Sequence, residues 1–225
     1  MNGGLSVKKS HASKNMSAKQ DIIDRIRNAT GGSSITSEIE YESISRQYRQ
    51  AGILDPAARI ELFADRLADY GSPVYRCAES EIAPTIAGIL TERSKTGLLV
   101  PRDLPRAWLP DGFYFFRESP DYHELDSSEG VLTDCALAIA ATGTIVLRHA
   151  PGEVSRALSL IPDYHLCIVF PSQIVETVPE GIRQMSSFAT LPITTISGPS
   201  ATSDIEMTRI KGVHGPRTLE VILVT

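Results

Sequence analysis

The apolar positions change their period along the chain, and each period marks a different kind of element. Between Ile60 and Ala68 they recur every three to four residues (Ile60, Leu62, Phe63, Leu67, Ala68), which lays one apolar stripe along a helix. Asp55-Pro56 supplies an N-cap and a proline for the first turn, and Gly71 ends the pattern. The same reading predicts a Ser37-capped helix to about Gln50, stopped by Gly52, and further helices over 81–93 and 173–185. Elsewhere the period shortens. Pro73–Cys77, Gly97–Val100, residues 112–116, Ile193–Ile196 and Leu219–Val224 read as strands. His165–Phe170 is a nearly unbroken apolar run, as expected of a strand buried on both faces. Leu137–Ala140 and Thr144–Leu147, joined by a Thr142-Gly143 turn, predict a hairpin or a sharply bent pair.

Strands that alternate with helices predict an α/β fold, a single domain with a mixed sheet and flanking helices over 35–225. Residues 1–34 are rich in Ser, Lys, Asn and Gly. Only Ile22, Ile23 and Ile26 have helical spacing, so the segment reads as a mobile tail with a helical turn or two. A length of 225 residues suits one domain plus such a tail.

Composition then narrows the function classes. A net charge of −5 offers no basic field for a phosphate backbone, so nucleic-acid binding is disfavoured. No apolar run approaches the roughly 18–20 residues that span a bilayer. Lys8, Lys9, Lys14 and Lys19 have no apolar stretch behind them, so the N-terminus does not read as a secretion signal and a cytoplasmic location is expected. Cys77, Cys135 and Cys167 are far apart, sit in apolar contexts and include no C-x-x-C. They read as buried, reduced thiols that cannot form a self-contained zinc or iron–sulfur site.

The densest candidate chemistry lies near the C-terminus. Ser197-Gly198-Pro199-Ser200-Ala201-Thr202-Ser203-Asp204-Ile205-Glu206 is followed by Gly212-Val213-His214-Gly215-Pro216. Gly-Pro turns beside hydroxyls and free backbone amides suit an anionic ligand. Gly198, Ser200, Thr202, Asp204, Gly212 and His214 are the candidate ligand residues, with Thr142, Gly143 and Thr144 as a third wall, and both Gly-Pro loops are expected to line one pocket. His214, Asp204 and Glu206 are the candidates for proton transfer. Each feature also has a plainer explanation. Thr142-Gly143-Thr144 fits a tight turn, Ser203 to Glu206 fits a capping box opening a helix, and His214 fits a constrained loop. Lys211 and Arg217 can face a substrate or form surface ion pairs. His165 reads as a satisfied core residue, and His123 and His149 lack metal-ligand spacing.

Taken in order, ALAIAATGTIVL, GPSATSDIE and GVHGPRTLEVILV resemble the LUD (lactate-utilization) domain family, on its lactate utilization protein C branch, from about Leu54 to Val224. The resemblance implies a fold similar to the ribose-phosphate isomerase and CoA-transferase-like group. It also implies a component of a three-protein system that oxidises L-lactate to pyruvate. In such a system the iron–sulfur clusters belong to partner proteins, and this chain binds no cofactor or metal of its own. Its contribution would be to bind a small organic anion or to scaffold its partners. The alternative is a stand-alone isomerase or acyl-CoA-transferase-like enzyme on a small anionic substrate, and a third reading is a pure interaction module. Many relatives have Ala-Glu-Thr-Gly-Thr where this chain has Ala141 in the Glu position, so any acid–base role of that Glu is lost here.

Overall fold

The computed structural model describes residues 11–30, 34–117, 121–203, 209–211 and 215–225. The chain divides into two units, residues 1–48 and 49–225. In the first, α1 (His11–Thr30) is longer than the helical turn or two expected around Asp21–Asn28. Its first half holds good helix formers (Ala12, Lys14, Met16, Ala18, Lys19, Gln20) and no Gly or Pro, so the helix extends through polar sequence. Helix α2 (Ser34–Ser43) starts earlier than the expected Ser37 cap and ends well before Gln50. Arg46 folds back on its last turn and donates to the Tyr41 and Ile44 carbonyls, which closes the C-terminus.

The second unit opens with α3 (Pro56–Asp69), whose N-cap Asp55 accepts from the Ala58 amide as the sequence predicts. Then follow β1 (Val74–Cys77), α4 (Ile82–Glu92), β2 (Gly97–Val100), β3 (Tyr114–Arg117), the short α5 (Tyr122–Asp126) and β4 (Val131–Thr133). Strands β5 (Leu137–Ile139) and β6 (Thr144–Arg148) form the antiparallel pair expected around Gly143. Next come β7 (Tyr164–Val169), β8 (Ile174–Val175), α6 (Val178–Met185), β9 (Ile193–Ser197), β10 (Ala201–Ser203), β11 (Arg209–Lys211) and β12 (Thr218–Val224).

Two sheets organise this unit. The larger is a six-stranded sheet of order β1-β12-β7-β4-β2-β3, and every pair in it is parallel. Its central strands are buried on both faces. In β12, Val221 and Leu223 join the core on the α3 side, while Ile222 and Val224 join the core on the α4 side. The smaller sheet, β8-β5-β6-β9, shares the α3-side core through Ala138, Ile145, Leu147 and Ile174. Its other face carries Leu137, Ile139, Val146 and Val175, against which Met185 of α6 packs.

Helix α6 starts later than the predicted residue 173. Thr177 and Glu180 form a capping box with Pro179 in the first turn, and that local signal overrides the apolar spacing before it. Glu180 also accepts from the Gly52 amide, and the buried Glu176 accepts from the Ile53 and Leu54 amides and pairs with Arg49. These carboxylates pin the segment before α3 to the smaller sheet. At the heart of the larger sheet, fully buried Glu220 accepts from the Tyr164 hydroxyl at 2.7 Å and is ion-paired with Arg93, just past α4. A buried carboxylate needs such partners, and removing one of them costs about 3–5 kcal/mol.

Candidate functional site

The two Gly-Pro turns meet at the N-terminal edge of the parallel sheet. Gly198 ends β9 with φ of +81°, and a Cβ there would come within 2.6 Å of the Tyr70 ring, so both the conformation and the space demand glycine. Gly215 precedes β12 with φ of +135°. The Ser200 amide donates to the Pro216 carbonyl at 2.8 Å and ties one turn to the other. Between them lies a cavity of about 460 Å³, bordered by Arg156, His165, Thr194, Ser197, Ser200 and the Gly215-Pro216 backbone.

Its polar lining is ordered. Arg156 donates to the hydroxyl of the buried Thr194 at 2.6 Å, and no ion pair to Arg156 exists among the described residues. His149 contacts the Val154 carbonyl through Nδ1 at 2.6 Å and Thr194 Oγ1 through Nε2 at 2.7 Å. A carbonyl can only accept, so Nδ1 carries the proton. Nε2 then receives the Thr194 hydroxyl, which leaves the Thr194 oxygen free for Arg156. His165 is fully buried, and its Nε2 lies 2.8 Å from Thr133 Oγ1. Burial lowers its pKa from 6.5 to about 4, so the ring is neutral at physiological pH.

The expected site residues divide into groups. Gly198 and Ser200 border the cavity. Thr142, Gly143 and Thr144 stand one hydroxyl behind its wall. Gly143 is a tight left-handed turn, and the Thr142, Thr144 and Ser197 hydroxyls form a chain with links of 2.7 and 2.8 Å. Thr202 falls in β10, while Asp204, Glu206, Gly212 and His214 lie outside the described residues. Ala201–Ser203 pairs antiparallel with Arg209–Lys211, so the expected N-cap Ser203 ends a strand, and the helix expected after it falls on residues outside the described ones. Pairing with Arg209 commits the Ser203 backbone to a strand ladder. Arg217 reaches Asp163 at 3.4 Å with both side chains largely exposed, a surface ion pair. The strands that carry the two Gly-Pro turns, β9 and β12, belong to different sheets, which is how the turns can approach each other.

A second cavity, of about 610 Å³, lies at the opposite edge of the parallel sheet. It is bordered by Asp134 after β4, Arg148 at the end of β6, Glu153, Gln173, Gln184 and Phe188. The Arg148 Nε donates to both Glu153 oxygens at 2.9 Å, so this guanidinium is already committed to a carboxylate. Asp134 is open to water in the cleft, yet protein surrounds it on most sides, and burial raises its pKa above 3.8. The Cys135 thiol is pushed well up by its hydrogen bond with Cys167 and by burial, so it is no thiolate nucleophile.

The sequence reading missed Arg156, Thr194 and Asp134 as cavity residues and His149 as the support behind Thr194, and treated His165 only as core. Arg156 has no motif around it, and the long gap between Arg156 and Thr194 gives no spacing signal.

Comparison with known proteins places these features in a family. The LUD domain model matches residues 116–224, a span that contains every residue bordering either cavity. Lactate utilization protein C of Deinococcus radiodurans is 44% identical over 176 residues, covering 75% of this chain and 82% of that one. Lactate utilization protein C of Bacillus subtilis strain 168 is 37% identical over 100 residues, covering 42% and 41% of the two chains. A crystal structure of a DUF162 family protein from Deinococcus radiodurans superposes with a TM-score of 0.66 at 38% identity, covering 77% of this chain and all of that one. The chain belongs to the LUD-domain family, on its lactate utilization protein C branch.

Proposed function

We propose that this protein acts in lactate utilization, binding a small organic anion in the cavity between the two Gly-Pro turns. It would work beside partner proteins that carry the iron–sulfur clusters of an L-lactate to pyruvate oxidation. One observation carries the binding reading. Arg156 brings a positive charge with no carboxylate partner among the described residues into a cavity whose other described lining, hydroxyls, His165 and apolar side chains such as Leu160 and Ile196, holds no acidic side chain. A charge-assisted hydrogen bond to a carboxylate is worth roughly 1.5–3 kcal/mol, enough to select an anion over a neutral compound of the same size. The names of the relatives supply the lactate context. The placing of the clusters on partners rests on the three cysteines, which are free, buried and too few for a four-thiolate cluster.

Calorimetric titration of the purified chain with L-lactate tests this. Saturable binding is expected, weakened about tenfold or more in Arg156→Ala and unchanged in Arg148→Ala. The reading fails if neither L-lactate nor pyruvate binds, or if Arg156→Ala binds like the parent.

A second reading, a stand-alone enzyme on a small anionic substrate, is favoured by Asp134. Its carboxyl sits in a cleft at the C-terminal edge of a parallel sheet, where ligands of α/β folds gather. Turnover by the isolated chain that disappears in Asp134→Asn would support it.

A further inference from the structure

Arg156 is held at both ends. Its backbone carbonyl accepts from the hydroxyl of the buried Ser159 at 2.9 Å, and its Nη1 donates to Thr194 Oγ1 at 2.6 Å. Thr194 is fixed in turn. Its backbone lies in the β6–β9 ladder opposite Leu147, and its buried hydroxyl meets His149 Nε2 at 2.7 Å. His149 is anchored twice, by its amide to the Pro192 carbonyl at 3.0 Å and by Nδ1 to the Val154 carbonyl at 2.6 Å. The bond to the Val154 carbonyl needs the ring proton on Nδ1, so in the neutral ring Nε2 only accepts. The Thr194 proton therefore points at His149, and its oxygen faces Arg156 as an acceptor. Every donor in the series from Arg156 through Thr194 and His149 to the Val154 carbonyl points the same way.

This series leaves a defined part of Arg156 unused. Nη1 is the guanidinium nitrogen away from the Nε–H bond, and among the described residues it is the nitrogen with a partner. The edge formed by Nε and Nη2 remains whole, and two parallel donors of that kind match the two oxygens of a carboxylate. We propose that His149 and Thr194 are positioning residues of the anion cavity, holding the Arg156 guanidinium so that its Nε–Nη2 edge receives the ligand's carboxylate. This rests on the anion-binding reading above. A long side chain that is ordered only on binding loses rotamer freedom at that moment, which offsets part of the interaction. An arginine held in place beforehand avoids most of that loss.

The test is L-lactate affinity by titration calorimetry on the full chain. Thr194→Val keeps the shape of the side chain and removes the acceptor, and affinity should fall about fivefold, the share of one modest hydrogen bond. Thr194→Ser retains the hydroxyl and should bind within about twofold of the parent. In an Arg156→Ala background Thr194→Val should cost nothing further, because its effect passes through the guanidinium. His149→Asn keeps a donor towards Val154 but loses Nε2. It should weaken L-lactate binding in the same direction, and it stands in if Thr194→Val does not fold. The Arg156 Nε–H resonance, identified by its loss in Arg156→Ala, should shift on addition of L-lactate in the parent and in Thr194→Ser, and shift less in Thr194→Val. Parent-like affinity in Thr194→Val, or an equal loss in both backgrounds, would overturn the positioning role while anion binding at Arg156 stands. Absence of L-lactate binding by the parent would instead remove the anion-binding reading, and the positioning role with it.

Discussion

The two cavities lie at opposite ends of the same parallel strands, and each contains an arginine, yet their chemistry is opposite. At the N-terminal edge Arg156 is bonded only to a neutral hydroxyl among the described residues, so its charge is available. At the C-terminal edge Arg148 is closed on Glu153, and Asp134 is left as a carboxylate to which Glu153 and Asp103 add repulsion. A cavity's selectivity follows from which charges are already committed, not from which residue types surround it. The comparison also separates two rules that usually agree. Ligands of parallel α/β sheets gather at C-terminal strand ends, whereas here the glycine-shaped, cation-bearing cavity is at the other end.

The largest expected effect that sharpens this contrast is the pH response of the N-terminal edge. His165 is held neutral, with its pKa lowered from 6.5 to about 4. Between those values the unfolded chain binds a proton that the folded chain refuses. Stability is therefore whole above the unfolded value and falls as pH drops towards the folded one. The full window amounts to about 3 kcal/mol, or a fall in Tm of roughly 6–12 °C for a chain of this size. Thermal melts of the parent and His165→Phe from pH 7.5 to pH 4, as general coverage of the window from about 7.5 to 4, should show a steeper acid slope in the parent. Parallel slopes would mean that His165 does not carry the pH dependence assigned to it.

The next effect tests whether commitment of charge is the deciding variable. Glu153→Gln should release Arg148 and give the C-terminal cleft an affinity for small carboxylates that the parent lacks there. In stability the half-buried pair is worth about 1–2 kcal/mol, after allowance for its contact with water. A fall in Tm of roughly 2–8 °C is expected. Chemical-shift mapping with L-lactate should then reveal shifts around Gln184 and Ser187 in addition to those around Ser200. If the variant shows only the Ser200 set, pairing is not what keeps anions out of that cleft.

Legibility in the sequence followed the reach of the signals. Periodicity and caps are local, so α3 with its Asp55-Pro56 start, the buried run of β7 and the β5–β6 pair around Gly143 follow from a few adjacent residues. The two Gly-Pro turns were legible for the same reason, because glycine and proline restrict the backbone wherever the chain goes. The hairpin β10–β11 was not legible. Ser203 and Glu206 have the spacing of a capping box, whereas the strand around Ser203 exists only through its pairing with Arg209–Lys211. Arg156, Thr194 and His149 meet through loops and a second sheet, which no sequence spacing encodes. That His165 Nδ1 finds no partner among the described residues depends on which atoms surround a buried ring, so the sequence could show a core histidine but not its unmatched nitrogen.

The smallest effect has the opposite sign from that of His165 and belongs to the opposite edge. Burial raises the Asp134 carboxyl above 3.8, with the charges of Glu153 and Asp103 acting in the same direction and Arg148 against them. The folded chain thus holds a proton at pH values where the unfolded chain has lost it. Stability falls as pH rises through that window, and the deficit persists at neutral pH. Asp134→Asn removes the charge and should therefore raise Tm at pH 7, taken as about neutral. Because Asp134 is open to water, the gain is limited to about 0.5 kcal/mol, a rise of no more than roughly 2 °C. It should vanish at a pH low enough to protonate the parent's carboxyl. Arg156→Ala, which removes a charge with no carboxylate partner among the described residues, should leave Tm within about the same margin and so serves as the control. A lower Tm for Asp134→Asn at neutral pH would mean that the ionised carboxylate makes a favourable contact after all, and the two ends of the sheet would then differ in degree rather than in kind.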